Sequence, residues 1–148
     1  MKKIKSIIEP SGDQLDIYWQ DNLVNCPALS LFLKVYAETI EKGFSNPVMT
    51  WSNKNRIAWA QRGEKIVGGI AYEYAADSKM GWIILSFTIE DERGKGINGY
   101  LYPVIEEDVK KLGGERMSSL CHVDNTSMHK AYERRGMKPQ FYRMNKMI

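Results

Sequence analysis

One stretch in the second half of the chain combines three local patterns in direct succession, and it limits the possible folds more than any other part. Residues 80–89 are apolar on both faces of an alternating pattern, which predicts a central β-strand. The sequence RGKGINGY follows, with three glycines. Apolar residues then recur every three or four positions as far as Leu112, which predicts an amphipathic helix. This order predicts a sheet that carries a helix on one face.

The rest of the sequence predicts a mixed sheet with helices on its faces. Residues 56–61 and 66–75 read as strands separated by short turns, so we expect an antiparallel meander with residues 80–89. The other predicted strands are residues 3–8, 117–123 and 140–147. The other predicted helices are residues 13–24, 27–42 and 127–135. The expected fold class is α/β, an α+β mixed sheet in the order β-α-α-β-β-β-α-β-α-β.

The predicted helix at residues 13–24 depends on a single spacing. Leu15, Trp19 and Leu23 are four residues apart, so they would lie on one side of an α-helix. A helical apolar pattern resumes in residues 27–42. We therefore expect two consecutive helices between the first strand and the meander.

Length, charge and cysteine content limit the class of protein. A chain of 148 residues is most simply one domain, covering residues 1–148. Its apolar runs are shorter than the roughly 20 residues of a membrane helix, so we expect a soluble, cytoplasmic protein with no membrane partner. The net charge of +3 is too small to indicate nucleic-acid binding. Cys26 and Cys121 lack disulfide or metal-ligand spacing, which predicts reduced thiols and no metal.

The glycine turn allows more than one phosphate-binding interpretation. Gly94, Gly96 and Gly99 match the G-x-G-x-x-G pattern of dinucleotide-binding folds. A P-loop is excluded because Tyr100 stands where Lys and Ser or Thr are needed. A dinucleotide fold would place this turn at its first strand and repeat βαβ units afterwards, whereas hairpins precede it here. An NAD(P)-binding oxidoreductase therefore stays as the less favoured alternative.

Two motifs in order resemble those of one superfamily. A strand followed by RGKGI at residues 93–97 resembles the R/Q-x-x-G-x-G/A motif of the GCN5-related N-acetyltransferases (GNAT). Asn125, then Tyr132 seven residues later, then Arg-Arg-Gly-Met, resembles a later motif of the same superfamily. The resemblance implies a GNAT-like acyl-CoA N-acyltransferase fold, with acetyl-CoA as cosubstrate and an amine as acceptor.

The resemblance, together with the chemistry of coenzyme A, implies a set of cofactor-binding residues. Glycines at a helix N-terminus let backbone N–H groups and the helix dipole bind a pyrophosphate. The strand before the turn would hydrogen-bond the pantetheine arm through its backbone. Asn125 is either a helix N-cap or a cofactor contact, and the two roles are compatible. The implied cofactor-binding residues are Phe87, Thr88, Ile89, Arg93, Gly94, Lys95, Gly96, Ile97, Asn98, Asn125, Lys130 and Arg134.

Acetyl transfer requires a neutral amine, a polarised thioester carbonyl and a proton for the departing thiolate. Tyr132 occupies the family position of the general acid, and a phenol pKa of about 10 keeps its proton in place until the thiolate forms. Its alternative role is to pack one face of a short helix. For the general base, His122 and Glu73 are candidates, and ordered water is the third possibility.

Two features depart from the family pattern. Asn98 stands where Gly or Ala is usual, so a side chain occupies the place where backbone normally meets pyrophosphate. The acidic run Glu90–Glu92 precedes a predicted anion site. These carboxylates either contact a cationic acceptor or solvate the loop, and we favour the second interpretation.

The acceptor is not identified by the sequence. A homodimer is frequent in the family, and a non-catalytic acyl-CoA-binding module on the same fold is the main alternative to an enzyme. Five aromatic residues are candidate walls of an acceptor site: Trp19, Tyr36, Phe44, Trp51 and Tyr72.

Overall fold

The computed structural model describes residues 1–44, 54–140 and 146. Within these ranges the chain forms one six-stranded sheet and three α-helices. The strands are β1 (Lys2–Ile8), β2 (Gln14–Gln20), β3 (Arg56–Arg62), β4 (Lys65–Ala75), β5 (Met80–Thr88) and β6 (Arg116–Ser119). The helices are α1 (Leu29–Glu41), α2 (Ile97–Lys111) and α3 (Thr126–Glu133), with short 3-10 turns at Leu23–Asn25 and Glu90–Glu92.

The sheet has its six strands in sequence order. Strands β1 to β5 pair antiparallel with their neighbours, whereas β5 and β6 pair in parallel and are joined by α2. The predicted mixed α/β class is therefore confirmed. A dinucleotide-binding fold has a mostly parallel sheet, so that alternative is wrong.

The predicted helix at residues 13–24 is wrong, because β2 occupies most of it. A spacing of four residues places side chains on one face of a strand as well as of a helix. Ile17 decides between them, because it lies midway between Leu15 and Trp19. Leu15 and Ile17 are both fully buried, as residues two apart on one face of a strand are. Leu23 begins a 3-10 turn instead.

The other predicted elements agree with the structure, apart from their ends. Helix α1 lies within the predicted range 27–42, and the three meander strands lie close to their predicted bounds. The predicted strand 117–123 ends early, since β6 stops at Ser119. The predicted strand 140–147 lies almost entirely outside the described residues. No helix in the described ranges has both the length and the apolar character of a membrane span.

Helices cover both faces of the sheet and divide the core into two layers. Helix α2 buries Ile97 and Leu101 in a cluster that also contains Ile70 of β4. Helix α3 contributes its one buried residue to this same cluster. On the other face, Phe32 of α1 meets Phe87 of β5 edge to face at 6.0 Å between ring centroids. Two helices therefore lie beside one face of β5, and α1 lies on the opposite face.

Candidate active site

The parallel pair of strands β5 and β6 separates partway along β5. Pairing begins at Met80 with Arg116 and ends at Ile83 with Ser119, while β5 continues to Thr88. Beyond Ile83, this edge of β5 has no partner strand among the described residues. An unpaired strand edge presents N–H and C=O groups that can pair with an extended ligand. We call this point of separation the fork.

A β-bulge in β5 coincides with the fork. On the β4 side, Ala71 lies opposite Leu85 and Tyr72 lies opposite Ile83, so Ile84 is an extra residue on β5. A bulge bends its strand and increases the local twist. The bend begins directly after the last residue that pairs with β6, which accounts for the divergence of the two strands.

Tyr132 of α3 reaches the fork. Its side chain is 9% exposed, and its hydroxyl oxygen lies 2.8 Å from Oγ of Ser119. The Ser119 hydroxyl also lies 3.4 Å from the carbonyl oxygen of Ile83, as its donor. Burial raises the pKa of Tyr132, and the hydrogen bond with Ser119 opposes this rise. A protonated phenol is therefore held where the two strands part.

The glycine turn lies at the other end of the free edge of β5. Gly94 and Gly96 have φ angles of 79° and 77°, a left-handed conformation that favours glycine. Gly96 is the N-cap of α2, and a Cβ at either glycine would meet no atom of the described residues within 4 Å apart from those of its own chain neighbours. The first N–H groups of a helix have no partner inside it. This open turn can therefore approach an anion closely.

Each of the two cationic residues of the turn makes a polar contact with a residue just before it in the chain. Arg93 donates from Nε to the carbonyl of Thr88 at 3.2 Å. Lys95 lies with Nζ 3.3 Å from Oε2 of Glu92, and its side chain is 52% exposed. Both positively charged side chains therefore lie beside the turn, and both are exposed enough to contact a ligand.

The acidic run before the turn does not act as one unit. Glu90 and Asp91 are exposed, whereas Glu92 is 8% exposed. Arg62, at the end of β3, donates to Oε2 of Glu92 at 2.9 Å and also pairs with the buried Glu9. Arg62 lowers the pKa of Glu92 through this hydrogen bond. The favoured interpretation of a solvated loop is therefore wrong for Glu92, which anchors the turn to the sheet.

Three residues at or directly after the end of β5 are predicted to bind the cofactor through their backbone: Phe87, Thr88 and Ile89. Their N–H and C=O groups are not equally free to bind a ligand. Ile89 donates its N–H to the carbonyl of Val67 and accepts from the N–H of Glu92, both at 3.0 Å. Its backbone groups are thus engaged within the protein. Phe87 and Thr88 lie on the part of β5 beyond the fork. Backbone groups alternate in direction along a strand, so those of Phe87 point to β4, as those of Ile89 do, whereas those of Thr88 point to the free edge. The predicted pairing with an extended ligand therefore depends on Thr88, whose carbonyl also accepts from Nε of Arg93.

The two candidates for the general base lie in different surroundings. His122 is exposed after β6, where Nδ1 accepts the N–H of Asp124 at 3.2 Å and its ring lies 5.6 Å from that of Phe44. Glu73 lies on β4 and accepts from Nδ2 of Asn55 at 3.4 Å. The described contacts link neither residue to the other.

The motif after β6 folds as a capped helix. Asn125 is the N-cap of α3, and its side-chain oxygen accepts the N–H of Met128 at 3.4 Å. The hydroxyl of Ser127 donates to the same oxygen at 3.3 Å. The N-cap role is thus confirmed, and a cofactor contact stays a prediction. The cap orients the helix that carries Tyr132 to the fork.

Residues 17–137, which include both motifs, the fork and the glycine turn, match the acetyltransferase (GNAT) family. The chain belongs to the GNAT family. The sequence matches no curated protein.

Solved structures with the same fold are acetyltransferases. An aminoglycoside acetyltransferase from an uncultured soil metagenomic sample, in complex with trehalose, is 16% identical with a TM-score of 0.68, covering 90% of this chain and 96% of that one. A ribosomal-protein-alanine N-acetyltransferase from Brucella melitensis biovar Abortus 2308 is 14% identical with a TM-score of 0.67, covering 90% and 99%. The aminoglycoside N-acetyltransferase AAC(6')-Iy in complex with CoA is 17% identical with a TM-score of 0.65, covering 88% and 100%. At these identities the likeness concerns the GNAT fold.

Asn98, the departure from the GNAT motif, lies in the first turn of α2. Its side-chain oxygen is buried and has no hydrogen-bond partner among the described residues. A buried acceptor without a partner costs free energy. The side chain therefore does not serve to stabilise the turn through its oxygen.

A basic residue that sequence analysis missed lies beside Tyr132. The guanidinium of Arg135 stacks over the rings of Tyr102 and Tyr132, at 5.1 and 5.9 Å from their centroids. Burial lowers the pKa of Arg135. Lys130 and Arg134, the predicted phosphate ligands, are exposed on α3 and at its end. The only sign of this residue in the sequence is the pair Arg134–Arg135, and the pair alone does not indicate which of the two side chains lies against Tyr132.

Two of the proposed acceptor walls belong instead to a polar network beneath α2. Trp19 donates from Nε1 to the hydroxyl of Tyr72 at 2.8 Å, and that hydroxyl donates to Asp108 at 2.7 Å. Arg56 pairs with the same carboxylate at 3.1 Å. Tyr72 is fully buried, so it cannot line an acceptor site. Trp51 lies outside the described residues.

Cys26 and Cys121 are both free cysteines. No cluster of His, Cys, Asp and Glu side chains suited to a metal ion occurs in residues 1–44, 54–140 and 146.

Proposed function

We propose that this GNAT protein transfers an acetyl group directly from acetyl-CoA to a primary amine. The observation that carries the proposal is the position of the Tyr132 hydroxyl at the fork, on the same strand edge that leads to the glycine turn. Residues 84–88 span about 17 Å of extended strand. A phosphate group at the turn and a thioester at the fork would lie at the two ends of this edge.

Binding follows from the groups along that edge. The amides of the pantetheine arm would pair with the backbone of Thr88, and the pyrophosphate would accept from N–H groups of the turn from Gly94 to Asn98. Arg93 and Lys95 supply positive charge there. Phe87 and Ile89 are weaker candidates, since their backbone groups are engaged within the protein. The remaining phosphate of CoA would meet Lys130 or Arg134, with Asn125 nearby at the start of α3.

The chemistry requires a proton donor and a neutral amine at the thioester. Tyr132 would give its proton to the departing CoA thiolate. Tyr132 belongs to the core layer on the α2 face, whereas Glu73 lies opposite Trp82 on the face of the sheet next to α1. An amine that enters from the α1 face would therefore meet Glu73, His122 or ordered water, each of which is a candidate base.

Binding and turnover test the proposal separately. Thermal shift with acetyl-CoA, CoA and NADPH should show stabilisation by the first two; stabilisation by NADPH alone would contradict it. Release of CoA thiol should then be measured with sisomicin, spermidine and a peptide with an N-terminal alanine. The neighbours that act on aminoglycosides and on ribosomal protein alanine motivate two of these amines. Binding of acetyl-CoA without thiol release with any amine would indicate a non-catalytic binding module.

A further inference from the structure

Ser119 is the last residue of β6, and its hydroxyl meets three oxygens at the fork. Its Oγ lies 2.8 Å from the hydroxyl of Tyr132 and 3.4 Å from the carbonyl oxygens of both Ile83 and Leu120. A serine hydroxyl donates one hydrogen bond and accepts others. Ser119 can therefore donate either to a backbone carbonyl or to Tyr132, and the choice depends on whether Tyr132 holds its own proton.

We propose that Ser119 is a positioning residue that fixes the hydroxyl of Tyr132 and donates to it once Tyr132 has lost its proton. In the resting protein, Tyr132 donates to Ser119, and Ser119 donates to the carbonyl of Ile83. After proton transfer, the Ser119 hydroxyl rotates and donates to the phenolate oxygen. This inference rests on the proposed acetyltransferase function.

The step balances as follows. The acceptor nitrogen bonds to the acetyl carbon, the carbon–sulfur bond breaks, and the sulfur leaves as CoA thiolate. The thiolate takes the proton of Tyr132, which gives CoA thiol and a phenolate. The proton lost by the acceptor nitrogen passes to the base (Glu73, His122 or ordered water) and from there to solvent, and the phenolate recovers a proton from water.

A phenolate at this position needs a donor because the site is buried. Burial disfavours the charged form, and a hydrogen bond to that form favours it. Three other groups face Tyr132: Cys121 after β6, Tyr102 on α2 and Arg135 after α3. Arg135 lies over the ring and favours the phenolate, whereas Cys121 and Tyr102 disfavour it. Ser119 is the hydrogen-bond partner of the Tyr132 oxygen among the described residues.

Kinetics of four variants test the inference. Ser119→Ala should lower kcat by about tenfold to a hundredfold, the worth of a hydrogen bond to a charged group, and leave the KM for acetyl-CoA unchanged. Ser119→Thr keeps the hydroxyl and should retain most of the activity. In a Tyr132→Phe background, Ser119→Ala should have no further effect. Equal losses from Ser119→Ala in both backgrounds would overturn the inference.

A spectroscopic readout makes the test independent of the acceptor and of turnover. Fluorotyrosine placed at position 132 reports its own ionisation by fluorine NMR. Ser119→Ala should move this titration to higher pH, and Ser119→Thr should leave it in place. An unmoved titration in Ser119→Ala would overturn the inference. Full activity of Tyr132→Phe would instead remove Tyr132 from the proposed mechanism, while the titration would still decide whether Ser119 stabilises its phenolate.

Discussion

Arg62 donates to the carboxylate of Glu92 at 2.9 Å, and this contact fastens the turn before α2 to the end of β3. The two residues are 30 positions apart in sequence. Arg62 also pairs with Glu9, the residue after β1, so one guanidinium joins three parts of the chain. The position of the glycine turn therefore depends on a side chain far from it in sequence.

Replacing Arg62 should weaken cofactor binding more than chemistry. Arg62→Gln removes the Arg62 partner of two buried carboxylates and leaves Glu92 with Lys95, which should lower the free energy of unfolding by about 2 kcal/mol. The loosened turn should raise the KM for acetyl-CoA severalfold, with kcat changed little. Steady-state kinetics and urea unfolding measure the two effects. Lys65→Gln removes an exposed charge from the same hairpin and serves as the control; an equal effect there would contradict the anchoring role.

The Arg62–Glu92 pair should also appear in the pH dependence of stability. Because Arg62 lowers the pKa of Glu92, the folded protein binds this proton less readily than the unfolded chain does. The resulting stability is present above the unfolded pKa of about 4.3 and is lost as the pH falls through the folded value. As the pH falls through the acidic range, the free energy of unfolding measured with urea should therefore decrease less steeply in Glu92→Gln than in the parent. Identical slopes would mean that the pair contributes nothing.

Removing the Tyr132 hydroxyl should abolish most of the turnover and preserve binding. Tyr132→Phe keeps the ring that packs in the core, so stability and the Kd for acetyl-CoA should be close to those of the parent. Loss of a general acid typically costs about a hundredfold or more in rate. Tyr102→Phe, which alters a buried tyrosine on the neighbouring helix, is the matched control. A normal kcat for Tyr132→Phe, measured at saturating acetyl-CoA, would refute the acid role.

The glycines of the turn should respond in opposite directions to alanine. Gly96→Ala forces a side chain into a left-handed conformation, which costs about 1–2 kcal/mol and should weaken acetyl-CoA binding. Gly99 lies inside α2 without a positive φ, and a Cβ there would meet no atom of the described residues within 4 Å outside the adjacent helix backbone. Gly99→Ala should therefore stabilise the protein by about 0.5–1 kcal/mol. Thermal unfolding measures the stability of both variants, and calorimetric titration measures their affinity for acetyl-CoA. Equal changes in Gly96→Ala and Gly99→Ala would count against a conformational role for Gly96.

Removing the side chain of Asn98 should not harm the cofactor site. Asn98→Ala deletes a buried oxygen without a partner and adds a better helix former, so the free energy of unfolding should rise by about 1 kcal/mol. Asn98→Gly should bind acetyl-CoA as tightly as the parent, or more tightly. The Kd of both variants measures this. A large loss of affinity in both would mean that the Asn98 side chain itself holds the cofactor.

The sequence predicted the motifs better than the contacts between distant elements. The strand, glycine turn and helix were readable because each depends on local spacing, as was the cap at Asn125. The spacing of Leu15 and Trp19 fits a helix and a strand equally well, so only the burial of Ile17 resolved it. The bulge at Ile84 is hidden in a stretch that is apolar on both faces.

Several parts of the candidate site depend on tertiary structure alone. Ser119 and Tyr132 are 13 residues apart and meet only because α3 folds back to the end of β6. Arg62 and Glu92 meet only when the β3–β4 hairpin lies beside the turn. Local patterns carry no information on such pairs, so the sequence could name Tyr132 as a candidate acid but could not name Ser119 as its neighbour.

The free edge of β5 also fixes the distance between the glycine turn and Tyr132. The same strand pairs with β4 as far as Thr88, diverges from β6 after Ile83 and leads into the glycine turn. The separation of the glycine turn from Tyr132 is thus set by a fixed number of residues in one strand. Inserting or deleting one residue there would shift the turn by about 3.3 Å and reverse the faces of all side chains beyond it. The length of β5 therefore determines how long an extended ligand must be to reach from the glycine turn to Tyr132.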